Sequence, residues 1–353
     1  MTKRVFRIRE GEPLLDIVSY GSSALHENGG RLTPDQVEQI RRTVQRVPEV
    51  MVKVLPRASN DLIAAGKHLD YISRYGKLSL EADDGERMEG CNGKAFLEAW
   101  DLDIDNVRRQ AGLAAVSGRK PPKHVHKLMF SMPARTPTDK VLAAVRNFAR
   151  EEFCGQHRYA FVLHTDEDHP HVHLVLKAVS KQGIRLNIRK ATLRHWRAEF
   201  ARNLRLQGIP ANATERAVRA EPRKAKKDGI YRAGIRGHST YLREQAEAVA
   251  SDLLAIEPPT KGSNRALVQT RDAVAGGWRA VASYLFSHGQ HDLANSVARF
   301  VTQMPMPLTE REQIALQLLR IPAKPGHRSE ASAAIIPVDA GPVVKRWVDC
   351  RLC

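Results

Sequence analysis

The sequence predicts an α/β fold with a helical C-terminal appendage. Between residues 50 and 178, short runs of branched and aromatic residues alternate with longer amphipathic segments, the patterns of strands and helices respectively. From about Tyr241 the composition changes to Ala- and Leu-rich segments that predict further helices. The predicted order is strand 50–55, helix 59–75, strand 124–132, helix 137–153, strand 159–164 and strand 171–178.

Changes in composition divide the chain into four predicted regions. A short helix is predicted near the start, from Thr33-Pro34. After the last main strand we expect a short strand at Ile184–Ile188 and a helix capped by Thr192. The regions are an N-terminal extension (1–47), a main domain (48–220), a basic linker (221–240) and a helical C-terminal region with a loose tail (241–353).

The first long helix, residues 59–75, is capped by Ser59-Asn60 and ends at Gly76. An apolar stripe at helical spacing predicts one buried face. The helix carries Tyr71 and Tyr75 one turn apart, which places them on neighbouring parts of the same face. A single tyrosine at a helix edge is ordinarily a core residue, so its role depends on what the fold places beside it.

Four histidines and two aspartates occur within the ten residues from His164 to His173. Alternate side chains of a strand point the same way, so His171 and His173 share one face. If strands 159–164 and 171–178 pair as a hairpin around Pro170, His164 returns beside them. A single histidine is usually a solvated or core residue, but three converging imidazoles predict a catalytic metal site with open positions.

The remaining polar residues of this segment have secondary predicted roles. His169 is left over from the cluster, and Asp166 and Asp168 are candidates for orienting a ligand imidazole. His124 and His126 are also two residues apart, but we do not expect them to be ligands.

The charge of the chain predicts a polyanionic partner. The net charge is +17 and the pI is near 10.0. Residues 177–236 contain 17 Lys and Arg against 4 Asp and Glu, a local excess of 17 − 4 = +13. No apolar run approaches a membrane span and no secretory leader is present, so we expect nucleic acid as the partner and no membrane insertion. Four cysteines predict no disulfide framework, and a cytoplasmic location is expected.

Three segments together resemble the motifs of conjugative relaxases, which are mobilisation nucleases of the histidine-hydrophobe-histidine (HUH) endonuclease superfamily. The segment His164–His173 reads His-x-Asp-x-x-His-Pro-His-x-His and resembles the third motif. Residues 69–78 resemble the first motif and residues 124–133 the second. The likeness is to the branch that nicks plasmid transfer origins and T-DNA borders, and it covers roughly residues 48–220.

The resemblance implies a fold and a set of roles. The fold is a central antiparallel sheet flanked by helices, with the histidines on central strands. Tyr71 is then the nucleophile, Ser131 contacts DNA next to the nick, and Asp166 is a proton acceptor or ligand orienter. The metal, held by His164, His171 and His173, is Mg²⁺ or Mn²⁺, although imidazoles alone also suit zinc, copper or nickel.

The implied activity is site- and strand-specific nicking of a transfer origin by tyrosine transesterification. The resulting 5′-phosphotyrosyl bond allows religation and transfer of a single strand into a recipient cell. The implied partners are single-stranded DNA, a relaxosome accessory protein and a type IV secretion coupling protein. The predicted DNA-binding residues are Ser131, Tyr75, Lys77, Arg74, Arg189, Lys190, Lys224, Lys226 and Lys227.

Two alternatives remain open at this stage. A rolling-circle replication initiator or transposase of the same superfamily is favoured if Tyr75 is essential as well as Tyr71. A non-catalytic basic DNA-binding component of a relaxosome, or a repressor, is favoured if the histidine array is degenerate. The intact Tyr71 and the three histidines argue against the second alternative.

Overall fold

A computed structural model describes two compact units of the chain. The first unit contains the described residues between Arg46 and Ala213, and the second those of Leu14–Gln45 and Thr214–Cys353. The described residues are 32–55, 62–90, 92–100, 102, 123–216, 218–219, 221, 228–254 and 265–320.

The first unit contains six strands and four helices in its described part. The strands are β1 (Met51–Val54), β2 (Leu80–Ala82), β3 (Arg87–Met88), β4 (Val125–Ser131), β5 (Tyr159–His164) and β6 (His171–Lys177). The helices are α2 (Leu62–Ile72), α3 (Gly93–Glu98), α4 (Thr138–Phe153) and α5 (Lys190–Leu206), and α1 belongs to the second unit.

The six strands form one sheet in the order β1-β4-β6-β5-β2-β3. Every neighbouring pair is antiparallel, which confirms the predicted α/β class with a central antiparallel sheet. β6 is a central strand between β4 and β5. The register places His171 opposite Ser131 on one side and opposite His164 on the other.

One face of the sheet carries the larger apolar core. Side chains alternate between the faces, so Val172, Leu174 and Leu176 all enter this core from β6. Phe148 of α4 and Trp196 of α5 are completely buried against them, with ring centroids 6.4 Å apart. Burial of each such side chain stabilises the fold by roughly 1.5–3 kcal/mol, so this layer anchors the central strands.

The described helices α2 and α3 cover part of the opposite face. α2 and α3 contribute Leu69 and Phe96 to a second apolar cluster, which includes Val162 of β5. α2 and α3 approach closely because glycines lie at their contact: a Cβ on Gly93 would lie 2.4 Å from the carbonyl oxygen of Gly66. The histidines of β5 and β6 lie on this same face because they alternate with the residues of the first core.

A hairpin of β2 and β3 is absent from the order of elements predicted from the sequence. β2 pairs with β5 and extends the sheet on that side. Arg146 of α4 donates two hydrogen bonds, of 2.5 and 2.7 Å, to the buried carboxylate of Glu81 in β2. This bidentate pair stabilises a strand of only three residues.

The second unit is helical in its described part. α1 (Pro34–Val44) begins with a capping box between Thr33 and Gln36, and its Ile40 is buried among residues of α8 and α9. Within the described helices, none combines the length and the apolar composition needed to span a bilayer. The other helices are α6 (Asp228–Ile235), α7 (Thr240–Leu254), α8 (Arg265–Ser287), α9 (His291–Thr302) and α10 (Glu310–Arg320).

Three local predictions differ from the structure. The expected strand at Ile184–Ile188 is reduced to one bridge between Val179 and Arg185. Thr192 lies inside α5 rather than at its cap, where its hydroxyl accepts a hydrogen bond of 3.2 Å from the Arg189 amide. Part of the segment predicted as a basic linker forms the helix α6. The predicted cap Ser59-Asn60 lies outside the described residues.

Candidate metal centre and nucleophile

His164, His171 and His173 converge on one point of the partly covered sheet face. One ring nitrogen from each lies within 4.8 Å of the other two. The ring centroids are 4.7–5.2 Å apart, and all three residues are at least nine-tenths buried. The hairpin register produces this arrangement, because His164 pairs with His171 and alternation places His173 on the same face.

Backbone carbonyls orient two of the three imidazoles. The Nε2 of His164 donates to the carbonyl of Ile72 at 2.6 Å, and the Nδ1 of His171 donates to the carbonyl of His169 at 3.0 Å. A carbonyl only accepts, so each of these nitrogens carries a proton. The nitrogens left to bind a cation are therefore Nδ1 of His164 and Nε2 of His171. Orientation by such partners is typical of histidine ligands.

Burial favours the neutral form of two of these imidazoles, His164 and His173. It lowers the pKa of His173 to about 3, with a smaller contribution from the charge of the neighbouring His164. Burial is also the main cause that lowers the pKa of His164 below 6.5. The Nδ1 of His173 is buried and has no hydrogen-bond partner among the described residues. Neutral, converging imidazoles with an unpartnered buried nitrogen fit a divalent cation.

Tyr71 lies in the last turn of α2, beside this cluster. Its side chain is 56% exposed, so the phenol is accessible. The guanidinium of Arg74 lies over the Tyr71 ring, 5.4 Å from its centroid. The same guanidinium pairs with Asp166, and its Nη2 lies 3.4 Å from Nδ1 of His164. Arg74 therefore connects the tyrosine, the aspartate and the histidine cluster.

Tyr75 is not on the helix that carries Tyr71, and the prediction that the two share a helical face was wrong. α2 ends at Ile72, and both Arg74 and Tyr75 have positive φ values, 54° and 56°. The Tyr75 amide bonds to the Asp70 carbonyl at 2.7 Å, which closes the turn. Its side chain is 82% exposed. A large exposed aromatic ring suits base stacking.

The other predicted DNA-binding residues occupy different parts of the unit. Ser131 is buried at the end of β4, directly opposite His171. Lys77 is exposed in the turn after Tyr75. Arg189 and Lys190 are exposed at the start of α5, the helix that packs on the opposite face of the sheet. Lys224, Lys226 and Lys227 lie outside the described residues.

The remaining polar candidates lie at different distances from the cluster. His126 alternates onto the opposite face, so its ring is directed away from the three histidines. Asp166 Oδ1 lies 3.8 Å from Nδ1 of His164, which is too long for a hydrogen bond, and the Asp166 carboxylate pairs instead with Arg74. The side chains of His169 and Asp168 are not part of the converging group.

Sequence inspection missed two polar groups near the site. His68 of α2 packs its ring edge-on against His173, with centroids 6.3 Å apart, and burial lowers its pKa to about 4. Lys127 of β4 is only 8% exposed, and its charge contributes to lowering the pKa of His68. The spacing of His68 three residues before Tyr71 was a usable signal, because residues at i and i+3 are neighbours on a helix.

Comparison with known proteins agrees with this geometry. Residues 74–208 match the family model described as relaxase, MobA/VirD2-like, nuclease domain. The match contains Ser131 and the three histidines and begins three residues after Tyr71. The chain is also similar to a 43 kDa relaxation protein of Salmonella typhimurium, with 27% identity over 133 residues.

This similarity covers 34% of the chain and 33% of the Salmonella typhimurium protein, so the chain spans about a third of that relative's length. The family match lies within the unit that contains the sheet and the histidine cluster. The comparisons confirm the resemblance indicated by the three sequence motifs, since residues 74–208 match the model of a MobA/VirD2-like relaxase nuclease domain.

Proposed function

We propose that this protein is a tyrosine relaxase that nicks one DNA strand at the transfer origin of a conjugative or mobilisable element. The observation that carries the proposal is the position of Tyr71 in the last turn of α2. The carbonyl of the next residue, Ile72, accepts a hydrogen bond from His164. One hydrogen bond thus connects the helix of the proposed nucleophile to the proposed metal ligands. The family match supports the reaction class.

In the proposed reaction the hydroxyl oxygen of Tyr71 attacks the scissile phosphorus in line. A P–O bond to Tyr71 forms and the P–O3′ bond breaks, which leaves a 5′-phosphotyrosyl enzyme and a free 3′-OH. The tyrosine proton passes to the solvent or to Asp166, and the departing 3′ oxygen gains a proton. Because one ester replaces another, the 3′-OH can later attack the phosphotyrosine and reseal the strand without ATP.

Residues of the chain position the nucleophile, hold the site for the cation and contribute one guanidinium to the site of this step. His164, His171 and His173 would hold a divalent cation, which would neutralise charge on the phosphate as the transition state forms. The guanidinium of Arg74 lies 5.4 Å from the centroid of the Tyr71 ring and brings a positive charge to the attacking side chain. We propose Mg²⁺ or Mn²⁺ as the working ion.

The proposed substrate is single-stranded DNA. The exposed Tyr75 and Lys77 adjoin the nucleophile, and the positive excess in residues 177–236 suits a phosphate backbone. We further propose two protein partners, a relaxosome accessory protein at the origin and a type IV secretion coupling protein. We also propose that the protein is transferred with the covalently bound strand.

A reaction with two catalytic tyrosines has less support. An initiator of that kind would need Tyr75 and Tyr71 to present their hydroxyls to the same centre. The left-handed turn at Arg74 and Tyr75 takes the second ring off the helical face.

The decisive experiment compares Tyr71→Phe with Tyr75→Phe. Single-stranded oligonucleotides tiled across the transfer region of the host element are incubated with the full chain and Mn²⁺ or EDTA. A covalent adduct appears as a shifted protein band on a denaturing gel. We expect an Mn²⁺-dependent adduct in the wild type and in Tyr75→Phe, and none in Tyr71→Phe.

The two tyrosine variants are matched because each removes one hydroxyl from the same five-residue segment, Tyr71 to Tyr75. An adduct that survives in Tyr71→Phe but not in Tyr75→Phe would transfer the nucleophile to Tyr75. Tight binding without any adduct in the wild type would favour the non-catalytic alternative.

A further inference from the structure

Arg74 contacts three functional groups of the site at once. Its guanidinium pairs with Asp166, lies 3.4 Å from Nδ1 of His164 and covers the Tyr71 ring. The side chain is 34% exposed, so an approaching phosphate can reach it. The backbone turn that orients it is closed by the Arg74 amide, which bonds to the Tyr71 carbonyl at 3.2 Å.

The contact with His164 has a chemical consequence. The proton of that ring is on Nε2, bonded to the Ile72 carbonyl, so Nδ1 carries the only available lone pair. A guanidinium has donors and no acceptor, so Arg74 occupies this lone pair as a donor. One lone pair cannot serve a guanidinium N–H and a cation together, and two positive groups at this separation repel each other.

We propose that Arg74 is a positioning residue whose guanidinium competes with the divalent cation for Nδ1 of His164, and that a DNA phosphate relieves this competition. A guanidinium binds phosphate oxygens through two parallel hydrogen bonds, so DNA draws Arg74 away from the ring. Cation and DNA then bind with positive coupling. The proposal rests on the cation site proposed above.

Asp166 takes part in the same exchange. Its carboxylate pairs with Arg74, and its second oxygen lies 3.8 Å from Nδ1 of His164. When Arg74 moves to a phosphate, Asp166 is left beside the ligand imidazole, where its negative charge favours a bound cation. The coupling therefore has two parts, the loss of a competing donor and the exposure of a carboxylate.

The test measures Mn²⁺ binding rather than turnover. The full chain carries Tyr71→Phe in every sample to prevent cleavage, and titration calorimetry gives the Mn²⁺ affinity with and without oligo(dT). We expect Arg74→Gln to bind Mn²⁺ more tightly than the parent by about fivefold or more in the absence of DNA, the lower end of ordinary coupling between sites. We expect oligo(dT) to strengthen Mn²⁺ binding in the parent and to have little effect in Arg74→Gln.

Lys67→Gln is the matched control, because it removes a positive charge from an exposed position of α2, one turn before Tyr71, and is not among the predicted DNA-binding residues. The Mn²⁺ affinity of Lys67→Gln should equal that of the parent. Equal Mn²⁺ affinities in Arg74→Gln and the parent would overturn the proposal, as would an equal gain in Lys67→Gln. Circular dichroism confirms that each variant is folded.

The failure of the two proposals can be distinguished. If Arg74→Gln binds Mn²⁺ more tightly and the wild-type chain forms no DNA adduct, the competition between Arg74 and the cation is supported and the relaxase activity is contradicted. An Mn²⁺-dependent adduct in the wild type, together with unchanged Mn²⁺ affinity in Arg74→Gln, would do the reverse.

Discussion

His164 donates a 2.6 Å hydrogen bond to the carbonyl of Ile72, the residue that follows Tyr71. This bond connects the histidine cluster on the sheet to the helix that carries the proposed nucleophile. It also determines which nitrogen of His164 is available as a ligand. A shift of α2 would therefore move Tyr71 and reorient His164 together. A variant in α2 is expected to affect both residues.

The first prediction concerns the metal centre. His173→Ala should abolish Mn²⁺ binding and adduct formation while leaving the DNA affinity measured in EDTA nearly unchanged, because the removed ring supplies a proposed metal ligand and no phosphate contact. Calorimetry with Mn²⁺ and a DNA-binding titration measure the two effects separately. His169→Ala is the control, since its side chain lies in the same loop but outside the converging group. Normal Mn²⁺ binding in His173→Ala would exclude His173 as a ligand.

The second prediction concerns the turn after Tyr71. Gly76 has φ +82°, and a Cβ there would lie 2.7 Å from the Cα of Gly90. Gly85 has φ +89° but nothing within 4 Å. Gly85→Ala should cost only the left-handed backbone penalty, about 1–2 kcal/mol.

Gly76→Ala should cost about 1–3 kcal/mol more than Gly85→Ala, because backbone atoms must also move. Urea unfolding of both variants measures the difference. Equal losses would show that the contact between Gly76 and Gly90 relaxes freely. Reduced adduct formation by Gly76→Ala alone would indicate that this contact also positions Tyr71.

The third prediction is a loss of stability in acid that depends partly on His126. Burial lowers the pKa of this residue from 6.5 to about 4, on the sheet face away from the metal centre. Between these values the unfolded chain binds the proton and the folded chain does not. Stability contributed by the neutral ring is therefore present above pH 6.5 and is lost as the pH falls towards 4.

One such group changes the unfolding free energy by at most about 1.4 kcal/mol per pH unit. His126→Phe should flatten the decline of stability between pH 6.5 and 4, as measured by urea unfolding at several pH values. An unchanged slope would mean that the ring already protonates near its ordinary pKa in the folded protein.

The fourth prediction concerns the basic segment after the sheet domain. Neutralising Lys224, Lys226 and Lys227 should reduce the slope of log affinity against log salt by about 2, since each contact with a single strand contributes roughly 0.7. Fluorescence anisotropy over a range of salt concentrations measures this slope. The control neutralises Arg243, Arg265 and Arg279, which are exposed on helices of the second unit. An unaltered slope in the lysine variant would place the segment outside the DNA path.

Local patterns were sufficient to predict several features of the fold. The alternation of His171 and His173 with apolar residues placed both rings on one face, and the turn at Pro170 returned His164 to them. The strands β1, β4, β5 and β6 and the helices α2, α4 and α5 were predicted for the same reason, because hydrophobic periodicity reflects burial directly. Charge counted along the chain indicated the polyanionic partner without any coordinates.

Features that depend on distant residues were not predicted. β2 has only three residues and holds the buried Glu81, and it exists as a strand through its pairing with β5 and the contact with Arg146. No local periodicity could identify it. Tyr75 was assigned to a helix because its spacing was helical, whereas the helix ends earlier, in a left-handed turn that the spacing cannot report.

The sequence by itself determined the ligand types, their order, the candidate nucleophile and the sign of the charge, because these depend on residue identity and short-range periodicity. Only the tertiary structure decided that the Ile72 carbonyl sets the tautomer of His164, that Arg74 joins Tyr71 to Asp166, and that His68 lies against His173. These contacts connect residues on different elements. Their geometry follows from how α2 packs on the sheet, and packing is a property of the whole core rather than of any one segment.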